Sequence, residues 1–284
     1  MSFARLIVFC WSLAAAMPTV TRAAHDSFAF TSGGHHLTVW YHRPAAAPAD
    51  APVLVVIHGV GRNAEEYLQD WIEQADALKF ALIVPEFSKA EFPGEESFNS
   101  GNLFDTAGRL RPREQWSYSM IEPVFDAARP HLGSTRNDYA IYGHSAGAQF
   151  VQRFLYFVPA SRATRAVAAN AGWYMLPDLE RAFPYGLRGT PADAATLRRV
   201  FAFPLIVLLG EADTDANHQS LRRTPEADAQ GLYRFARGQF FFRFAQQTAA
   251  AGDADFRWKL STVPGVAHNN KAMAPAAARL LFSH

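Results

Sequence analysis

The chain is poor in the features that would settle its function cheaply. It has one cysteine among 284 residues, Cys10, and its formal charges almost cancel at +1. A lone thiol leaves no partner for an internal disulfide. A balanced charge gives no global field to draw the chain onto nucleic acid, so no nucleic-acid partner is expected. There is no internal repeat, no long linker and no apolar run long enough to span a bilayer. What is present is ordinary globular composition, 49% hydrophobic and 19% charged, in a chain long enough to bury a large core as one α/β domain.

The first residues read MSFARLIVFCWSLAAAMPTVTRAAHDS. Arg5 precedes an apolar run from Leu6 to Met17, and a short polar, small-residue segment follows. That is the layout of a secretory signal peptide, expected over 1–23 with cleavage after Ala23, so that Thr21 and Ala23 occupy the positions a signal peptidase reads. Phe9 before Cys10 argues against a lipoprotein. The remaining 24–284 would carry +1 − 2 = −1, having lost Arg5 and Arg22. It would hold no thiol and so no cysteine nucleophile. Export to the periplasm or the extracellular space is expected, with no stable membrane insertion after cleavage.

Beyond the leader, short apolar runs alternate with longer stretches of helical spacing. PVLVVIHG (52–59), FALIVPEF (80–87), DYAIYGHS (138–145), TRAVAANAG (164–172), PLIVLLGEAD (204–213) and RWKLSTVPG (257–265) read as buried strands. Residues 63–78, 117–132, 146–158 and 232–251 read as helices. This alternation predicts a mostly parallel sheet with helices on both faces. SFAFTSGGHHLTVWYHRP (27–44) instead alternates around Gly33-Gly34, as an antiparallel hairpin at the sheet edge does. RPAAAPADAP (43–52) is a surface connector.

The segment that carries chemistry is YGHSAG. Ser145 lies between Gly143 and Gly147, after a strand and before a helix, which is the setting of a nucleophile elbow. Side chains at the flanking positions would collide with neighbouring backbone, which favours glycine. The helix starting at Ala146 would point its positive end at a developing oxyanion. A bare G-x-S-x-G also fits a serine that merely caps a helix. The chain order of two further residues favours the elbow. Asp213 follows the strand PLIVLLG, and His268 sits in VPGVAHNN before a final helix, AMAPAAARLLF. The separations, 213 − 145 = 68 and 268 − 213 = 55 residues, leave room for helix–strand units between members of a Ser–acid–His triad. Asp215, two residues on, is the alternative acid. In IHGVGRN (57–63), the Val60 N–H is the expected second oxyanion donor beside that of Ala146, with Gly61 the alternative; His58 reads as a residue that shapes this loop.

Through HGVGRN, YGHSAG, GEADTD and PGVAHNN the chain resembles the α/β-hydrolase superfamily over nearly all of 24–284. Within it, the chain looks like the secreted esterase and polyhydroxyalkanoate depolymerase-like group. The resemblance implies an α/β-hydrolase fold and hydrolysis of a small or polymeric carboxylic ester through an acyl-enzyme, with no metal or organic cofactor. An exported amidase or peptidase acting on an amide or anionic polymer remains open, as does an inactive binding protein of the same fold. Three loops, 98–118, 170–187 and 217–239, are expected around Ser145. Trp173 and Tyr174 are candidate substrate contacts. So is Arg62, among arginines (109, 111, 113, 222 and 223) that either receive an anionic substrate or pair with nearby acids.

Overall fold

A computed structural model describes residues 26–283; the expected signal peptide, its cleavage point and Cys10 lie outside them. Eight strands form one sheet: β1 (Asp26–Ser32), β2 (His35–His42), β3 (Val53–Ile57), β4 (Ala81–Glu86), β5 (Tyr139–His144), β6 (Ala163–Ala169), β7 (Leu205–Gly210) and β8 (Lys259–Val263). Their order across the sheet is β1-β2-β4-β3-β5-β6-β7-β8. β1 and β2 form the edge hairpin, β2 joins β4 antiparallel, and every later pairing is parallel. Glycine at 33 and 34 takes φ of 57° and 82°, the left-handed conformation a tight hairpin turn needs.

The helices are α1 (Ala64–Leu78), α2 (Ile121–Leu132), α3 (Ala146–Phe157), α4 (Ala194–Phe201), α5 (Pro225–Asp228), α6 (Arg234–Ala251) and α7 (Asn270–Phe282). The sheet is covered on both sides, and alternate residues of one strand show it. Val53, Val55 and Ile57 of β3 join one buried cluster with α2, α3 and α6. Leu54 and Val56 join another with α1 and α7. That two-sided burial is why the inner strands read as continuous Val/Ile/Leu runs rather than as alternating ones.

Two features of the fold position the site. β5 lies mid-sheet between β3 and β6, so its C-terminal end meets the ends of its neighbours, and every residue of α3, which follows it, is buried. The connection from β6 to β7 carries α4, capped by the Asp193 carboxylate on Thr196 N (2.8 Å), a helix the sequence reading passed over.

Candidate active site

Ser145 sits at the junction of β5 and α3 with φ 59° and ψ −118°, a strained backbone for a non-glycine residue. Its N–H donates to Ala169 O of β6 (2.9 Å). The flanking glycines are dictated by backbone contact. A Cβ on Gly143 would lie 2.1 Å from Gly147 O, and one on Gly147 would lie 2.1 Å from Ile57 O. The turn is closed so tightly that α3 rests on the end of β3. Ala146 is the first residue of that helix, so its N–H has no partner within it.

His268 and Asp213 meet across the ends of β7 and β8. His268 Nδ1 lies 2.7 Å from Asp213 Oδ2, and the Asp213 side chain is 2% exposed. The two loops are tied together by Asn170, at φ 49° just past β6. Its Oδ1 accepts from Gly210 N (2.7 Å) and its Nδ2 donates to Ala267 O (3.2 Å). Arg234 of α6 reaches the other Asp213 oxygen at 3.5 Å. Burial lowers the His268 pKa below its ordinary 6.5; the Asp213 hydrogen bond opposes this, and Arg234 adds to it. The ring therefore favours its neutral, proton-accepting form. Asp215, by contrast, is exposed, and its Oδ1 accepts from Asn217 N (2.8 Å) in a local turn.

Ser145 opens on two cavities. The larger, about 390 Å³, is shared with Tyr67, Asp70, His268, Asn270 and Lys271. The smaller, about 260 Å³, is walled by Glu95, Asn99, Gln149, Trp173 and Arg222. Val60 is exposed and borders both, and Ala146 borders the smaller. The loop that carries Val60 is held from below by His58. Its Nδ1–H donates to Gly59 O (3.0 Å), and its Nε2 accepts from Phe87 N (2.9 Å). Burial drives the His58 pKa down to about 4, so the ring is neutral and fixed in one tautomer. Gly59 must stay bare, because a Cβ there would lie 2.8 Å from the Tyr67 hydroxyl.

The candidate binding residues divide. Trp173 borders the smaller cavity. Tyr174 is fully buried, stacked on Phe241 with centroids 4.4 Å apart. Arg62 is also buried, donating to Phe87 O (2.6 Å) and Gly94 O (2.7 Å) with its guanidinium 4.0 Å above Phe98. It borders neither cavity and pins the segment after β4 instead. Arg109 pairs with Asp105 and Arg223 with Asp228. The sequence reading missed Tyr67 and His144, joined by a hydrogen bond of 3.1 Å beneath the larger cavity. It also missed Arg234 and Asn170. The asparagine in VAANAG, at a strand end, was the one legible signal.

A strained serine on a strand–helix turn, at the C-terminal end of a central parallel strand and close to a His–Asp pair, defines the α/β-hydrolase architecture. Comparison with solved structures agrees. The chain is 47% identical, over 92% of its length and 100% of the other's, to poly(aspartic acid) hydrolase-1 from Sphingomonas sp. KT-1, with a TM-score of 0.89. It is 34% identical to LpqC, a poly(3-hydroxybutyrate) depolymerase from Bordetella parapertussis (92% and 90% covered, TM-score 0.87). An S-formylglutathione hydrolase from Agrobacterium tumefaciens, 16% identical (90% and 92% covered, TM-score 0.58), shares the fold. No protein-family model and no curated protein sequence matches the chain. The chain belongs to the depolymerase-like α/β-hydrolases and is a hydrolase.

Proposed function

We propose that the chain is an exported serine hydrolase that cleaves its substrate through an acyl-enzyme, with Ser145 as nucleophile, His268 as general base and then acid, and Asp213 as the carboxylate that orients it. The observation that supports this most directly is the 2.7 Å contact between His268 Nδ1 and the buried Asp213, with the same imidazole bordering the cavity that holds Ser145. In the first half-reaction Ser145 Oγ attacks the scissile carbonyl carbon while His268 takes its proton. The N–H groups of Ala146 and Val60 hold the oxyanion at the positive end of α3. His268 then gives its proton to the leaving group as the bond to the carbonyl breaks, and Ser145 keeps the acyl group. Water, deprotonated by His268, releases the acid and restores the hydroxyl.

For the substrate, we favour a carboxylate-bearing polyamide, because the 47% identical relative is named for poly(aspartic acid) and Arg222 borders the cavity beside Ser145. A neutral polyester is the second reading, favoured by the 34% identical depolymerase. Export rests on the leader layout of residues 1–23, and the N-terminal residue of the mature protein made in its host tests it.

A fluorophosphonate probe and a substrate panel test the rest. The folded wild-type protein should label, Ser145→Ala should neither label nor turn over substrate, and poly(aspartic acid) should be cut faster than poly(3-hydroxybutyrate). Asp213→Asn should lower kcat by about 10⁴, the scale of losing a triad carboxylate, while Asp215→Asn stays active. Retained turnover in Ser145→Ala would reject the nucleophile. Loss in Asp215→Asn with an active Asp213→Asn would exchange the acids.

A further inference from the structure

Arg62, Arg234 and Arg237 near Ser145 each direct both terminal guanidinium nitrogens to protein acceptors, although the buried Nε of Arg62 and of Arg234 has no partner among the described residues. Arg62 holds two carbonyls. Arg234 donates to Ser220 Oγ (2.9 Å) and approaches Asp213, and Arg237 holds Gly231 O, Gly172 O and Arg222 O. Arg222 differs. Its Nε donates to the Tyr185 hydroxyl (2.7 Å) and its Nη1 pairs with Glu95, but no described residue accepts from its Nη2. The fork lies over the Trp173 ring, 4.7 Å from the centroid, at the wall of the smaller cavity.

Behind that wall is a second cation. Arg153 is fully buried, with its guanidinium 4.4 Å from the same indole centroid. Its Nη1 donates to Asn99 O (2.8 Å), while its Nε and Nη2 have no hydrogen-bond partner among the described residues. No carboxylate lies within ion-pair distance of it among the described residues, so one indole carries two cations while Glu95 supplies a single ion-paired carboxylate. A buried cation without a counter-ion is costly, and its field in a low-dielectric wall reaches farther than it would in water.

We propose that this smaller cavity is a carboxylate subsite, in which Arg222, held over Trp173, exchanges Glu95 for a carboxylate on the acyl part of the substrate. The subsite is built before anything binds. Thr224 holds the Tyr185 hydroxyl (2.5 Å), Tyr185 holds Arg222 Nε, and buried Arg237 holds the main chain at Arg222 (2.8 Å). Glu95 keeps the fork in place when the site is empty, and a substrate carboxylate takes over the same planar donors with Nη2 added. The excess charge at Arg153 is offset when a substrate carboxylate joins Glu95 in the wall. A neutral acyl group leaves the Arg222–Glu95 pair intact, so such substrates are disfavoured rather than excluded.

This inference rests on the serine-hydrolase reading, and the experiment separates the two. The selectivity to measure is kcat/KM on 4-nitrophenyl hydrogen glutarate divided by that on 4-nitrophenyl 5-methylhexanoate, in which an isopropyl group of the same shape replaces the carboxylate. Arg222→Gln should lower this ratio about 30-fold, the scale of one charge-assisted hydrogen bond. Arg222→Lys should fall between, and Glu95→Gln should raise the ratio by removing the internal competitor. An unchanged ratio in Arg222→Gln, or a lower one in Glu95→Gln, overturns the subsite. If Arg222→Gln does not fold, the other two variants decide. Binding of poly(aspartic acid) to Ser145→Ala, followed by titration calorimetry, should weaken about tenfold when Arg222→Gln is added; equal binding also overturns the subsite. If Ser145→Ala still turns over substrate while binding depends on Arg222, the nucleophile assignment fails and the subsite stands.

Discussion

Gly147→Ala puts the geometry of the turn to a quantitative test. Gly147 lies in the first turn of α3, where helix propensity alone favours alanine by about 1 kcal/mol. The structure predicts the opposite sign. The new Cβ would lie 2.1 Å from Ile57 O and 2.7 Å from His58 O, both main-chain atoms. Neither can step aside cheaply: Ile57 is paired across to Gly143 in the sheet, and α3 is buried along its whole length. Overpacking against a fixed backbone costs about 3 kcal/mol, the upper end of the usual range. Set against the propensity gain, this leaves a net loss of about 2 kcal/mol and a fall in Tm of about 4–8 °C. The strain lies two residues from Ser145 and touches the residue before Gly59, so a shift of about 1 Å should cut kcat about 100-fold. Calorimetry and turnover of a neutral aryl ester read both effects. Gly252→Ala is the control, because its Cβ meets nothing nearer than Thr248 O at 3.5 Å and its φ is −95°. It should be neutral or stabilising by up to about 1 kcal/mol. A Gly147→Ala protein with a raised Tm and full activity would refute the contact argument.

Arg62→Ala should slow turnover of anionic and neutral esters alike, because it frees the Phe87 and Gly94 carbonyls and loosens the segment after β4; selective loss on the anionic ester would return Arg62 to a substrate-reading role. Acid should destabilise the fold through His58, whose pKa falls from 6.5 in the unfolded chain to about 4 in the fold. The unfolded chain then binds the proton more readily, so this stabilisation is complete above pH 6.5 and is lost as pH falls toward 4, by about 3 kcal/mol. Urea midpoints across that window should drop more steeply for wild type than for His58→Gln, and parallel curves would contradict the assignment.

The framework was legible because it is written in local patterns. Continuous Val/Ile/Leu runs marked β3, β4 and β7, which are buried on both faces, and Gly33-Gly34 marked the edge hairpin. RWKLSTVPG, read as a buried strand, instead forms β8 at the sheet edge; none of the residues of β8 is buried, because no described strand lies beyond it. The G-x-S-x-G spacing located the strained serine, since its glycines answer to contacts within a few residues and with one adjacent strand. Asp213 stood out because it lies nearer the strand end than Asp215, three residues after Gly210. What stayed hidden depends on pairings across the chain. α4 has eight residues, too few for a periodic signal to stand clear of its loop. Arg62 and Arg222 look alike in sequence, both basic and both in loops near the site. What separates them is that Arg62 meets two carbonyls, 25 and 32 positions away, whereas Arg222 meets a carboxylate 127 positions away and an indole.

The same contrast bears on how hydrolases of this fold come to differ in substrate. The elbow, the His58 prop and the Asn170 tie use backbone atoms as partners, so they constrain residue type whatever acyl group is bound. The wall of the smaller cavity includes Glu95, Trp173 and Arg222, which are braced by Tyr185 through side-chain contacts. Substitutions in that wall can change which acyl group is accepted while the turn at Ser145 keeps its shape. Changes to Gly143, Gly147 or Asn170 cannot, because the backbone they hold is the one that carries Ser145, Asp213 and His268.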